Sequence, residues 1–549
     1  MVSASTPISQ ADPAVLQAIS QAVSGGNLRG AFEFAHQAIL RGQRHPVLFN
    51  ARALWLQQTG RLQDAAENFQ QARAFTPNDI NLLNALGLCL ARLNRTQEAI
   101  ALFEDAIALN PKSAQNHFHR GWAMGLRGDQ KAARESYERA IALDPRYPEA
   151  LAGIAAIAAR DGDREGARAF AQKALRLNSR EPTAIVALAM VDIAEGAFET
   201  AEERLRPLLS NPGIVGHTRA LMLGFYADAM NGLDRTEEAF AAYTAKNEEL
   251  YQLNEGRFAG RRRATDIFNG MASYLEQLAD GKMPAPETPA AAGGDEPREH
   301  VFLLGFIRSG TTLLEQVLGS NPDVTVLEER ETLADIAPPF LLDEGGLQRL
   351  EALSGDEISK LRALYWQHVR EFGGEPKGKV FIDKQPLNTF NLPIIAKLFP
   401  TAKILFALRD PRDVVFSAFR RHFEVNATMF EFLRLPDAAR FYDAVMRLGT
   451  VSLAKFPLSV HRHRYEDMVE DFETQVRAVC AFLEIAWDDS MRNFSDKAKT
   501  REIRSPSALQ VRRELYREGM DQWKKYERQI SDVLPILEPW VEKFGYPRS

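Results

Sequence analysis

From about Ala14 to Asn254 apolar residues recur at helical spacing, and small residues punctuate them at a fixed interval. Gly26, Gly60, Asn94, Gly128, Gly162 and Gly196 stand 34 residues apart, as do Ala31, Ala65, Ala99, Ala133, Ala167 and Ala201. Two further series keep this step: Ala38, Ala72, Ala106, Ala140 and Ala174, and Ala53, Gly87, Gly121, Ala155 and Ala189. Pro77, Pro111 and Pro145 follow it too, with Ser179 in the next slot. The pattern predicts stacked helix–turn–helix units: glycine or asparagine turns the chain, small residues let paired helices approach, and proline ends the second helix. About six units cover 14–215, and a divergent seventh runs to about 250, where Ala239 arrives four residues late. Beyond residue 298 the period changes. VFLLGF (301–306), VTVL (324–327), KVFID (379–383), KILFAL (403–408) and SVHRHRY (459–465) read as strands and alternate with helical stretches. This predicts a parallel sheet in an α/β domain, with ligands at the carboxyl ends of its strands.

Between the two patterns lies MPAPETPAAAGGDEPR (283–298), whose four prolines and two glycines predict an extended linker. The expected organisation is a repeat array over 14–254, a connecting helix over 255–282, the linker, and a second domain over 299–549. The charge balance of 67 basic against 73 acidic residues, net −6, argues against a nucleic-acid binder. Cys89 and Cys480 are the only cysteines, too few for a disulfide framework or a cysteine metal cluster. The start MVSASTPISQADP lacks the basic and apolar regions of a signal peptide, and no run of 18 apolar residues occurs. The expected location is cytoplasmic, with no membrane span.

Candidate chemistry sits in the second domain. After the first strand comes Gly305-Phe306-Ile307-Arg308-Ser309-Gly310-Thr311-Thr312, then the helical LLEQVLGS. A strand, a glycine loop and a helix N-terminus make an anion site. The spacing mimics GxxxxGK[ST], but Thr311 occupies the lysine position and Arg308 supplies the charge, which disfavours ATP with magnesium. Taken alone, the loop also fits a plain strand–helix turn. After KILFAL stands Arg409-Asp410-Pro411-Arg412-Asp413-Val414-Val415-Phe416-Ser417, where Arg409 and Ser417 suit a second phosphate. Alone, that segment equally fits a helix-capping network.

The pair of motifs resembles the sulfotransferase family, which uses 3′-phosphoadenosine 5′-phosphosulfate (PAPS) and needs no metal; the resemblance covers about 300–545. It implies that Arg308, Ser309, Gly310, Thr311 and Thr312 hold the 5′ end of the donor, and that Arg409 and Ser417 hold the 3′-phosphate. Within the family, FIRSGTT, NPDVTVLEERE and DKQPLN resemble the protein-tyrosine sulfotransferase branch, with Ile307, Gln385 and Glu331 replacing a proline, an aspartate and an arginine of its pattern. By this resemblance Glu329 is the general base, with Glu328 its near competitor, and Lys384 and Arg308 stabilise the charge that develops on transfer. By the resemblance Tyr465 lines the adenine pocket, and the residues alone also fit a strand ending in a helix cap. Ser507 and Arg513, within the basic stretch Arg501, Arg504, Arg512, Arg513 and Arg517, fit either a segment folded over the 3′-phosphate, with Trp523 covering the site, or a solvated helix face. His422, close behind the second motif, is a weaker candidate base, and His461 and His463, alternating on a strand, read as surface residues rather than a zinc site.

The 34-residue units resemble the tetratricopeptide repeat family, best in QEAIALFEDAIALNP and KAARESYERAIALDP. The expected fold is thus α plus α/β: an all-α tetratricopeptide superhelix followed by a P-loop-like sulfotransferase domain with a central parallel sheet. The expected activity is sulfuryl transfer to a hydroxyl acceptor, whether a tyrosyl protein, a carbohydrate or a small alcohol. The repeats would bind acceptor, partner protein or a second copy, or act as a spacer. Two other readings stay open. One is a tetratricopeptide scaffold with a non-catalytic anion-binding domain, and the other is a P-loop kinase.

Overall fold

The computed structural model describes residues 11–93, 95–278, 297–341, 345–494 and 519–548. Two compact units divide the chain, one ending at Ser210 and the other beginning at Asn211.

The first unit is helical throughout its described residues, from Pro13–Ser24 to Phe198–Leu209. The 34-residue series does what its chemistry requires. Gly26, Gly60, Gly128, Gly162 and Gly196 all have φ between 73° and 83° at turns between helices, a region costly for other residues; Asn94 lies outside the described residues. Ala31, Ala65, Ala99, Ala133, Ala167 and Ala201 are wholly buried. A Cβ on Gly87 would sit 2.6 Å from the Phe103 ring, and one on Gly121 2.8 Å from the Tyr137 ring, so the small residues set the helix spacing. The helices before Pro77, Pro111 and Pro145 end at Phe75, Leu109 and Leu143.

The second unit opens with a helical hairpin, Gly216–Gly232 and Thr236–Phe258. Both helices lie within the stretch expected to continue the array. The long second helix instead buries Leu250 and Phe258 with Val425, Phe430 and Leu433 of the same unit. In the 255–282 segment this helix ends, the chain breaks at 259–263, and Ala264–Gln277 forms a further helix.

The sheet has five parallel strands: β1 (Glu299–Gly305), β2 (Val324–Glu328), β3 (Val380–Lys384), β4 (Lys403–Leu408) and β5 (Ser459–Arg464). Their order is β2-β3-β1-β4-β5. β1, β3 and β4 are buried on both faces, which is why they read as near-continuous apolar runs. Val301, Leu303, Ile382 and Leu405 pack on one face with Leu314, Val317 and Val476, while the aromatic rings of Phe302, Tyr365 and Phe399 group on the other. The register pairs Leu303 and Glu328 with Lys384, Gly305 with Ala407, and Leu408 with Arg464. All five carboxyl ends therefore open on one edge, and the chain changes direction across the sheet between β1 and β4. Open α/β sheets bind ligands at that point. Among the described residues no helix is long and apolar enough to cross a membrane.

Candidate active site

The loop after β1 folds tightly because three contacts leave it no alternative. Ser309 Oγ donates to Phe306 O at 2.6 Å, and Thr389 Oγ1 bridges Gly305, accepting from its N–H at 3.0 Å and donating to its carbonyl at 2.5 Å. Gly310, at φ 91°, caps the helix Thr311–Leu318, and a Cβ there would lie 2.5 Å from the Tyr465 ring. Ser309, Thr311 and Thr312 are buried at the helix start.

The loop after β4 meets it. Arg409 Nη1 donates to Arg308 O at 3.0 Å, Nη2 donates to Gly519 O, and the guanidinium lies 4.9 Å from the centre of the Tyr465 ring. Arg308 Nε donates to Ser417 Oγ at 3.1 Å. The two arginine motifs, 101 positions apart, thus form one site, with Tyr465 from the end of β5 as its wall. Burial pushes the Arg308 guanidinium well below its ordinary value, and Arg421, Arg409 and Arg420 add to the push while Glu329 opposes it. A guanidinium keeps its proton, so the push records a charge held in a buried site, with three further arginines nearby.

The carboxyl ends of β2 and β3 bring Glu328, Glu329 and Lys384 together. Lys384 is fully buried, with Nζ 2.7 Å from Glu329 Oε1, 3.2 Å from Glu315 Oε2 and 3.8 Å from Glu328 Oε1. Burial alone would lower its pKa, but Glu315, Glu329 and Glu328 outweigh that and hold the ammonium above its ordinary value. The backbone places Glu329 as well: its N–H donates to Lys384 O at 2.8 Å. Five described non-glycine residues have positive φ, and two of them, Arg308 (70°) and Glu329 (43°), are in this site. Such backbone strain concentrates where function holds it in place. Turns rather than a helix follow the acid pair, so Glu328 and Glu329 are not helix N-terminal acids.

Some expected residues lie elsewhere. Trp523 is no open cover: it is buried, its ring stacks 3.9 Å from the Arg412 guanidinium, and its backbone N–H donates to Asp413 at 2.9 Å. His422 is exposed. His463 is buried rather than on the surface, since β5 turns it inward; burial pushes it down to about 4, with His461 adding. No metal-holding group of histidine, cysteine or carboxylate side chains occurs among the described residues. Ser507 and Arg513, with Arg501, Arg504, Arg512 and Arg517, lie outside the described residues.

Sequence reasoning passed over Glu315, Thr389 and Arg421. Glu315 left a signal, an acid beside a glutamine in the leucine- and valine-rich run LLEQVL, on a fully buried helix. Thr389 and Arg421 left none, because their roles arise from contacts across the sheet end.

Beneath the site, Asp383 is fully buried and accepts from Thr332 Oγ1 at 2.7 Å and Tyr365 Oη at 2.8 Å. Burial raises its pKa to about 6, against the two hydrogen bonds. The fold then binds more protons than the unfolded chain between about pH 4 and pH 6, so this group's contribution is full at acid pH and is lost as pH rises through about 6. Asp383→Asn keeps both bonds and removes the titration. Relative to wild type it should gain on the order of 2 kcal/mol between pH 4.5 and pH 7, read from urea midpoints. A pH-independent difference would mean that Asp383 carries its charge throughout.

The chain is similar to several known proteins. Residues 300–489 match the model described as "Sulfotransferase family". Residues 15–135 match "Psidin, N-terminal TPR repeats region", and 127–182 match "Tetratricopeptide repeat". An uncharacterized protein of Aquifex aeolicus is 27% identical over 361 residues, covering 62% of this chain and 44% of that one. Protein-tyrosine sulfotransferase 1 of Danio rerio is 28% identical over 274 residues, 47% of this chain and 75% of its own. The sulfotransferase domain of the Synechococcus PCC 7002 olefin synthase aligns at 21% identity and TM-score 0.32 over 48% of this chain and 100% of that one. The chain thus spans less than half of the Aquifex relative and three quarters of the zebrafish one. The tetratricopeptide matches over 15–182 and the sulfotransferase match over 300–489 thus fall on the repeat unit and on the unit that carries the sheet.

Proposed function

We propose that this protein transfers the sulfuryl group of PAPS to a hydroxyl acceptor, without a metal. One observation carries the reading: two cations, Arg308 and Arg409, with Ser417 hydrogen-bonded to Arg308, lie at the sheet edge that also carries the Glu329–Lys384 pair. The donor has two anionic ends, and the loops after β1 and β4 offer a cation for each. Arg409 Nε is buried with no hydrogen-bond partner among the described residues, which suits an incoming anion.

In this reading Ser309, Gly310, Thr311 and Thr312 hold the 5′-phosphosulfate end, and Arg409 and Ser417 the 3′-phosphate. Glu329 takes the acceptor hydroxyl proton as the acceptor oxygen bonds to sulfur and the bond from sulfur to the 5′-phosphate oxygen breaks. Lys384, kept charged by its three carboxylates, and Arg308 neutralise the charge that grows on the bridging oxygen, and adenosine 3′,5′-bisphosphate leaves. Relatives named protein-tyrosine sulfotransferases favour a tyrosyl acceptor, while Glu331, in place of that branch's arginine, argues for a different acceptor surface. The repeats are assigned to acceptor or partner binding, and the protein to the cytoplasm.

Calorimetric titration with adenosine 3′,5′-bisphosphate, against ATP–magnesium, tests the donor. Binding of the bisphosphate that is indifferent to metal is expected. Preference for ATP–magnesium would overturn the reading.

A further inference from the structure

Lys246 lies on the helix Thr236–Phe258, far in sequence from either motif, and is fully buried. Its Nζ donates to three successive backbone carbonyls: Phe419 O at 3.3 Å, Arg420 O at 2.8 Å and Arg421 O at 2.9 Å. Asn247 Nδ2 adds a bond to Phe419 O at 2.9 Å. These carbonyls close the helix Pro411–Arg420, at the end where intrahelical partners run out and where the helix dipole favours a cation. An ammonium has three donors, and here each has an acceptor. Burial pushes Lys246 down to about 7, with Asp228 opposing. So costly a group is retained only where its contacts compensate.

The same hairpin grips the side chain at that helix end. The Arg420 guanidinium lies 5.6 Å from the Tyr243 ring and 5.2 Å from that of Phe416, and Tyr243 Oη donates to Asp228 Oδ1 at 2.6 Å. The helix so held carries Ser417, which accepts from Arg308 at 3.1 Å. Its last turn also sets where Arg421 stands, one of the cations crowding Arg308.

We infer that Lys246 is a positioning residue for the donor site: it clamps the C-terminal end of the Ser417 helix, so the hairpin preceding the sheet is part of the binding machinery. This rests on the donor assignment proposed above. A Lys246→Met chain would take this donor from the Arg420 and Arg421 carbonyls, leave Phe419 O to Asn247 alone, and free the last turn to shift Ser417 and Arg421.

The test uses the full chain, titrated calorimetrically with adenosine 3′,5′-bisphosphate. Lys246→Met should raise Kd about tenfold or more at unchanged stoichiometry, and Asn247→Ala, which loses one bond, about threefold. A merely structural role would instead lower the bound stoichiometry, as the folded fraction falls, and leave Kd alone; that result overturns the inference. If Lys246→Met does not fold, Asn247→Ala decides, and an unchanged Kd overturns it. Failure of the wild-type chain to bind the bisphosphate is a separate result, which removes the donor assignment and the inference together.

Discussion

Glu329→Gln should reduce turnover by about 10²–10⁴-fold while leaving bisphosphate affinity within about twofold of wild type, since loss of a base that meets only the acceptor removes no donor contact. The substitution is nearly isosteric and keeps an oxygen to accept from Lys384 Nζ, now 2.7 Å from Glu329 Oε1. The side chain is about a quarter exposed, so the fold tolerates the change. Lys384→Ala is a poorer probe of chemistry. It would strand Glu315, fully buried 3.2 Å away, together with Glu328, and breaking a buried pair on one side costs about 3–5 kcal/mol of stability. Turnover in both variants should fall, but only Glu329→Gln should fall without a drop in melting temperature. Measured from radiolabelled PAPS with a tyrosyl peptide or a panel of hydroxyl acceptors, full activity in Glu329→Gln would remove it as the base and turn attention to Glu328.

Arg409→Ala should weaken bisphosphate binding by roughly 10–100-fold, the cost of losing charge-assisted hydrogen bonds to a phosphate. The effect has two sources. One is the direct grip on the anion. The other is indirect: Arg409 fixes the first loop through Arg308 O and lies against Tyr465, so its removal loosens the loop that meets the other end of the donor. Arg409→Lys separates them. It keeps the charge but not the planar fork that spans Arg308 O and Gly519 O, so it should recover only part of the affinity. Calorimetry on both variants reads this directly. An unchanged Kd in Arg409→Ala would dismiss the second motif from the donor site.

The repeat unit was legible because its causes are local. A turn that needs positive φ selects glycine, and two helices in contact select alanine, so a 34-residue rhythm is written in the residues themselves. The strands were legible for a similar reason, since burial on both faces demands unbroken apolar runs. The extent of the array was not legible in the same way. Helices 216–232 and 236–258 carry much the same composition as the repeats, and what assigns them to the second compact unit is contact with residues near 420–433. Trp523 and His463 show the same limit. An aromatic residue late in the chain and a histidine on a strand are compatible with cover and surface, and only packing against Arg412, and the inward turn of β5, made both of them core.

By itself the sequence determined the two fold classes, and it singled out the glycine loop with Arg308 and the segment with Arg409 as candidates. Tertiary structure alone decided that Lys384 is caged by three carboxylates, that Asp383 is buried beneath it, and that Lys246 closes the Ser417 helix. The division has a physical cause. Backbone dihedrals, helix period and strand burial constrain residues near one another in the chain, and leave a readable pattern. Charge compensation in a buried site constrains residues from β2, β3, the loop after β1 and a distant hairpin together, through distances that exist only once the sheet has aligned its carboxyl ends.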